Sequence, residues 1–118
     1  MTKLWIDDGG EGSFAVVSLT GELWHETVGA AEAHLMERVA GGGAVRLVLD
    51  LERLSFLDSA GVSMIAKTVR AVRGVGGTLL LVVPDGTQPR RVLAITGMDH
   101  QVRVLDALGK AVAEERPG

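Results

Sequence analysis

The sequence predicts an α/β domain: a small mixed, mostly parallel sheet with an N-terminal hairpin and about four helices. Two runs, Val45–Leu51 and Thr78–Val83, are mostly apolar, as strands covered on both faces usually are. A stretch with helical spacing follows each run, and such alternation is typical of parallel strands joined by right-handed crossovers. Because the chain has 118 residues, we expect a single domain over 1–118, with its core at about 3–114.

The first two predicted strands form the hairpin. Leu4–Ile6 and Phe14–Leu19 are short apolar runs, and the segment Asp7–Ser13 between them is rich in Asp and Gly, which is typical of a turn. The stretch Thr20–Thr27 predicts a loop that leads into a helix. The hairpin therefore adds an antiparallel pair at one edge of the sheet.

Apolar residues at intervals of three or four predict two longer helices. The first follows Thr27, a candidate N-cap, and ends at the glycine run Gly41–Gly43. The second extends from about Ser59 to Arg73, and glycines after Arg73 end it. The positive charges in its later turns suit the negative end of the helix dipole.

The rest of the chain predicts a short helix, a strand and a last helix: Thr87–Thr96, Gln101–Leu105 and Ala107–Glu115. Pro89 in the first turn of the short helix and Gly97 just past its end support its boundaries. The predicted order is thus β-β-α-β-α-β-α-β-α.

Composition excludes several classes of function. The formal net charge is -3, and only 3% of the residues are aromatic, so binding to nucleic acid by charge or by base stacking is not expected. The chain has no Cys, hence no thiolate metal site and no Cys nucleophile. No apolar run is long enough to span a membrane, and the first residues lack the apolar core of a signal peptide. We expect a cytoplasmic protein with no direct membrane insertion.

The sequence offers no catalytic or cofactor motif. It has no P-loop, and its Gly74–Gly76 pair precedes a strand, whereas the glycines of a dinucleotide site follow one. Its histidines lie in a loop, on a helix and in a turn, which is not the spacing of a metal site. We therefore expect no catalytic residues, no metal and no cofactor.

The remaining candidate site is the segment Asp58–Gly61, where a buried strand leads into a helix. Asp58 or Ser59 can accept hydrogen bonds from the free N–H groups of that helix, and such a cap explains most residues of this kind. A second role is also open, because loops after parallel strands form the usual binding edge of a sheet. The loop Thr20–Thr27 is expected at the same edge, and Gly61 is expected to keep the surface low around the Ser59 hydroxyl.

Five segments of the sequence resemble the STAS domain family, and within it the bacterial anti-sigma factor antagonists. They occur in family order over nearly the whole chain and are Leu19–Leu23, Leu49–Leu51, Leu54–Val62, Gly76–Gly77 and Arg91–Met98. The resemblance implies a binding protein and not an enzyme. A protein of this kind docks on an anti-sigma factor, and this docking releases the sigma factor for transcription.

The resemblance also implies a switch. The anti-sigma factor is expected to be a serine kinase that phosphorylates Ser59, after which the complex dissociates and a PP2C-type phosphatase resets the chain. The partner surface implied in this way comprises Gly21, Glu22, Trp24, His25, Thr27, Leu57, Asp58, Ser59, Ala60, Gly61 and Ser63. The expected oligomeric state is a monomer or a weak dimer.

Two residues depart from the family pattern. Trp24 stands where Asp is frequent, and it is either a partner contact or a packing residue. Ala60 replaces the hydroxyl residue that often follows the switch serine. Because Asp-Ser-Ala-Gly also resembles STAS accessory subunits of lipid-transport ABC systems, a non-phosphorylated accessory subunit is the alternative function.

Overall fold

The computed structural model describes residues 3–41 and 43–113. This part of the chain forms six strands: β1 (Leu4–Glu11), β2 (Phe14–Leu23), β3 (Arg46–Asp50), β4 (Leu54–Leu57), β5 (Thr78–Val82) and β6 (Arg103–Leu105). It also forms four α-helices, which are α1 (Val28–Ala40), α2 (Ser59–Gly74), α3 (Gln88–Thr96) and α4 (Gly109–Ala113), and a short 3-10 helix, Met98–His100.

The six strands make one mixed sheet with the order β1-β2-β3-β5-β6, and β4 pairs with β2 outside this path. β1 is antiparallel to β2, whereas the pairs β2–β3, β3–β5, β5–β6 and β2–β4 are parallel. The predicted fold class, a mostly parallel sheet with an N-terminal hairpin and about four helices, is confirmed.

The hairpin is longer than predicted. β1 continues to Glu11 and pairs with β2 along its full length, so the turn shrinks to Gly12 and Ser13, with Gly12 at a φ of 61°. Asp8 bonds to the His34 ring at 2.9 Å and accepts from Arg38 Nε at 3.1 Å, which ties β1 to α1. The bond from His34, followed by that from Arg38, holds the pKa of Asp8 below its usual value. Strand pairing and these bonds outweigh the low strand preference of Asp and Gly.

The strand β4 was not predicted. β3 pairs with the first half of β2, at 15–18, and β4 pairs with its end, at 21–23, so both lie on the same side of β2. The chain bends only at Glu52 and Arg53 between them. Because β4 has four residues without clear alternation, it lacks the sequence pattern of a strand.

The helices begin and end close to their predicted residues, except for the last. The hydroxyl of Thr87 caps α3 by accepting from Arg90 N at 3.2 Å, and Gly97 follows that helix at a φ of 77°. α4 begins at Gly109, two residues later than predicted, and the predicted continuation past 113 lies outside the described residues.

The core is aliphatic apart from Phe14 and occupies both faces of the sheet. On one face the sheet packs against α1, α2 and α3 through residues such as Leu35, Leu49 and Ile65, each with 0% exposure. On the other face a smaller cluster, which includes Val48 and Val82, lies under α4. β3 is thus buried on both faces, as its apolar sequence predicts, and each such side chain contributes about 1.5–3 kcal/mol. Within the described residues, no helix has the length and apolar character needed to cross a membrane.

Candidate partner-docking site

The candidate site lies at the carboxyl ends of β2 and β4, where α1 and α2 begin. β2 ends at Leu23 beside Leu57, the last residue of β4. The loop Trp24–Thr27 follows β2, and Asp58 follows β4. The two segments are therefore neighbours, as predicted, but the predicted loop Thr20–Thr27 is too long, because residues 20–23 pair within β2.

Asp58 joins the two segments through both oxygens of its carboxylate. Oδ1 accepts from Gly61 N at 3.0 Å, which caps α2. Oδ2 accepts from the backbone N–H of His25 at 3.2 Å, across the neighbouring loop. The side chain is 25% exposed. Of the two predicted caps, Asp58 makes the bond, and it also fixes the loop to the helix.

Ser59 is the first residue of α2, and its side chain is exposed. Gly61 N bonds to the Asp58 side chain and Val62 N bonds to Asp58 O at 3.0 Å. Among the described residues, nothing accepts from the N–H groups of Ser59 and Ala60. The hydroxyl of Ser59 thus lies beside two open donors at the positive end of a 16-residue helix, an arrangement that favours an anion.

The expected role of Gly61 is wrong. Gly61 is buried and faces inward, and an added Cβ would lie 2.4 Å from Leu57 Cδ1 and 3.0 Å from Leu23 O. The glycine therefore lets α2 approach β2 and β4 closely, and it does not shape the outer surface. Leu57 is only 1% exposed, so its side chain also belongs to the core, and both residues support the surface from below.

The loop Trp24–Thr27 is closed by its own threonine. The Thr27 hydroxyl donates to Glu22 O at 2.8 Å and accepts from Trp24 N at 3.1 Å. Thr27 stands at the N-cap position of α1, but its side chain makes no capping bond, so the predicted cap is wrong.

Trp24 and His25 form the outer part of this loop. The two rings meet edge to face, with centroids 4.3 Å apart, and His25 is 65% exposed. Trp24 is half-buried, and its indole N–H is enclosed without an acceptor among the described residues. Trp24 therefore packs against the loop and also contributes to its surface.

The other predicted surface residues divide into structural and exposed positions. Gly21 has a φ of 114° and its missing Cβ would lie 2.2 Å from Lys3 O, so the hairpin requires glycine there. Glu22 and Ala60 are half-buried, and Ser63 is exposed one turn after Ser59. Only part of the predicted set therefore has side chains exposed at the surface.

Sequence reasoning missed Gln88, the first residue of α3. Its side-chain amide accepts from Leu57 N at 2.9 Å and donates to Leu57 O at 3.0 Å. The available signal was its position just after a parallel strand, at the same edge of the sheet.

The exposed residues of the candidate site are not part of either of two clefts that the described residues form. These clefts, of about 450 Å³ and 310 Å³, lie elsewhere, and none of the predicted site residues lines either of them. Within the described ranges, no group of three or more His, Cys, Asp or Glu side chains is arranged to hold a metal ion. An exposed edge of this kind suits a protein partner better than a small ligand.

Comparison with known proteins identifies similar sequences and folds. The STAS domain family model matches residues 7–111. RsfB of Mycobacterium tuberculosis, an anti-sigma-F factor antagonist, is 32% identical over 105 residues, which is 88% of this chain and 83% of that protein.

Two solved structures extend the likeness to the fold. An anti-sigma factor antagonist from Mycobacterium paratuberculosis has a TM-score of 0.86 at 26% identity, covering 98% of this chain and 96% of that one. The phosphorylated form of SpoIIAA, a cell fate determinant of Bacillus, has a TM-score of 0.69 at 27% identity, covering 97% of this chain and 100% of that one.

Proposed function

This chain belongs to the STAS domain family, and we propose that it acts as an anti-sigma factor antagonist. It docks on an anti-sigma factor in the cytoplasm, as a monomer or weak dimer, and so releases a sigma factor. The names of RsfB and of the similar mycobacterial structure support this function. The chain is a binding protein and not an enzyme.

The observation that carries the proposal is the exposed Ser59 beside a loop that Asp58 holds in place. The docking surface is formed by the α2 start and the loop Trp24–Thr27. Because one carboxylate bonds both segments, a partner meets them in a fixed relative position. Such preorganisation lowers the entropy that is lost when the partner binds.

We further propose that the anti-sigma factor is a serine kinase that uses ATP to phosphorylate Ser59. The phosphate adds a charge of about -1.5 to -2. The open N–H groups of Ser59 and Ala60 donate hydrogen bonds to the phosphate oxygens, so the fold stays intact. The partner, in contrast, meets new bulk and charge beside the Asp58 carboxylate, and the complex dissociates. A PP2C-type phosphatase restores the hydroxyl.

The test is modification of the purified chain by the anti-sigma factor kinase of its own genome with Mg-ATP. Intact mass and peptide mapping measure how many phosphates are added and where. We expect one phosphate, on Ser59, in the wild type and in Ser63→Ala, and none in Ser59→Ala. Ser63 is the control for the position of the phosphate, because it is a second exposed serine on the same helix, one turn later. The rate of modification is not compared in this variant, since Ser63 belongs to the predicted partner surface. An unmodified Ser59 in a complex that stays intact would contradict the switch.

The second candidate is a STAS accessory subunit of a lipid-transport ABC system. Ala60, which follows Ser59 without a hydroxyl, is the observation that favours it. This function predicts co-purification with an ATPase subunit and a membrane permease, together with an unmodified Ser59.

A further inference from the structure

Gln88 completes the free edge of β4 at the residue that precedes the cap of α2. Asp58 N bonds to Leu23 O at 3.3 Å, toward β2. Because backbone groups of successive strand residues point to opposite sides, the N–H and C=O of Leu57 point away from β2. The side chain of Gln88 bonds both of these groups, at 2.9 Å and 3.0 Å.

A carboxamide is suited to this position because it carries one acceptor oxygen and an N–H donor, as a peptide group does. It therefore stands in for the strand that β4 lacks on that side. Without it, the partly buried N–H and C=O of Leu57 would both lack a partner, at a cost that rises with burial. The chain would then be free to shift at Leu57.

Gln88 is itself held in place. The hydroxyl of Thr87 bonds to Arg90 N at 3.2 Å and to Pro84 O at 2.9 Å, so the start of α3 is closed onto the preceding turn. The Arg90 guanidinium also donates to Val83 O at 2.6 Å, one residue past the end of β5. A rigid helix start thus carries the amide to the strand edge.

We propose that Gln88 is a positioning residue that sets the location of Asp58 and Ser59 for docking and for phosphorylation. This inference deepens the proposed function, and the effect of Gln88 on docking and phosphorylation rests on that function. Leu57 is adjacent to Asp58, and Asp58 both caps α2 and holds His25. Three elements therefore fix the segment that carries Asp58 and Ser59. They are β2 through Leu23, the loop Trp24–Thr27 through His25, and α3 through Gln88.

The first test requires no partner. In Gln88→Met, which keeps the length of the side chain but removes both bonds, the hydrogen-exchange protection of the Leu57 amide falls by about tenfold. The amides of Asp58 and Ser59 gain NMR relaxation dispersion, which reports motion on the microsecond to millisecond timescale. Gln101→Met is the matched control because Gln101 is exposed, and it changes neither measurement. Unchanged Leu57 protection in Gln88→Met, or dispersion equal to that of the control, would overturn the inference.

Gln88→Glu supplies a pH-dependent rescue. Protonated Glu presents a carbonyl acceptor and an O–H donor, as Gln does, whereas the carboxylate presents only acceptors and faces Leu57 O. The carboxylate still accepts from Leu57 N but repels Leu57 O, so Leu57 protection, corrected for intrinsic exchange, is lower than in the wild type at pH 7 and recovers as the pH falls through the pKa of the new carboxyl. A merely destabilised fold shows no such recovery. Equal protection at both pH values would contradict the paired-bond geometry.

The last readout is the rate of Ser59 phosphorylation by the anti-sigma factor kinase. We expect kcat/KM to fall by about tenfold in Gln88→Met and to be unchanged in Gln101→Met. A rate equal to the wild type, despite lost Leu57 protection, would overturn the role of Gln88 in the switch. If the wild-type chain itself is not modified, the proposed phosphorylation of Ser59 fails, and exchange and dispersion still decide whether Gln88 positions Ser59.

Discussion

The two long helices begin at the same edge of the sheet but are anchored differently. At α1, Thr27 turns its hydroxyl back to Glu22 O and Trp24 N, and it leaves the helix without a side-chain cap. At α2, Asp58 caps the helix and also bonds to His25 across the neighbouring loop. The side-chain bonds at the start of α1 thus stay within its own loop, whereas those at the start of α2 reach a segment distant in sequence.

The same contrast holds for the glycines in the first turns. Nothing lies within 4 Å of a Cβ added at Gly29, while one added at Gly61 meets Leu57 and Leu23. The start of α2 is therefore packed from below and tied from the side, which leaves the exposed Ser59 as its outward feature. A side chain that must be presented to a partner in one position requires such support.

The largest effect is expected from Gly61→Val. Its branched side chain has no room beside Leu57 and Leu23 O, so the free energy of unfolding falls by about 3 kcal/mol. Chemical denaturation measures it, with Gly29→Val as the control, which changes stability by less than about 0.5 kcal/mol. Equal losses in the two variants would mean that Gly61 is not a packing position.

Asp58→Ala ranks second. It removes the cap of α2 and the bond to His25 together, and we expect the free energy of unfolding to fall by about 2 kcal/mol. Denaturation measures the loss, and hydrogen exchange at His25 N is expected to become faster.

Asp58→Asn separates the two bonds. Its amide oxygen still caps α2, because Asn is as good an N-cap as Asp, but its NH₂ group cannot accept from His25 N. We therefore expect the free energy of unfolding to fall by about half as much as in Asp58→Ala, while hydrogen exchange at His25 N stays as fast as in that variant. If Asn restored slow exchange at His25, the proposed tie between loop and helix would be wrong.

Thr27→Ala comes next. It removes the hydroxyl bonds inside the loop, and we expect the free energy of unfolding to fall by about 1 kcal/mol. The amide of Trp24, which bonds to the Thr27 hydroxyl at 3.1 Å, exchanges faster. Hydrogen exchange of the amides in the first turn of α1 changes no more than the loss of global stability accounts for, since Thr27 does not cap that helix. Thr27→Ser restores the wild-type values, and a loss confined to the first turn of α1 would indicate a capping role instead.

Gly29→Ala gives the smallest effect, and it has the opposite sign. The site is exposed and open, so Ala raises the free energy of unfolding by about 0.5 kcal/mol through its lower entropy cost in a helix. Thermal denaturation shows this as a higher midpoint. A decrease would mean that the surface around Gly29 is not open.

The sequence predicted those elements whose residues carry a strong local pattern. The Val- and Leu-rich strands and the apolar spacing of α1 and α2 reflect burial along one element, and short-range periodicity reveals them. β1 was underestimated because Asp7, Asp8, Gly9 and Gly10 prefer turns, and only pairing with β2 and the bonds to α1 keep them extended. β4 was missed because its four residues are fixed by the end of β2 and by Gln88.

The candidate site shows the same division. The cap at Asp58 follows from the residue type and its place before an amphipathic helix. Its second bond joins residues 33 positions apart, and the bond from Gln88 to Leu57 spans 31, so no local pattern contains them. The inward direction of Gly61 likewise depends on how closely α2 packs on the sheet, which only the assembled fold determines.

The most direct test of the switch is the affinity of the anti-sigma factor for this chain before and after phosphorylation of Ser59, measured by titration calorimetry. We expect the phosphorylated chain to bind at least about 100-fold more weakly, because charge and bulk meet a surface fitted to a hydroxyl. Its amide spectrum should change only around the α2 start and the loop Trp24–Thr27, which shows that the fold is retained. Equal affinity of the two forms, or weaker binding that accompanies global unfolding, would contradict a local switch at Ser59.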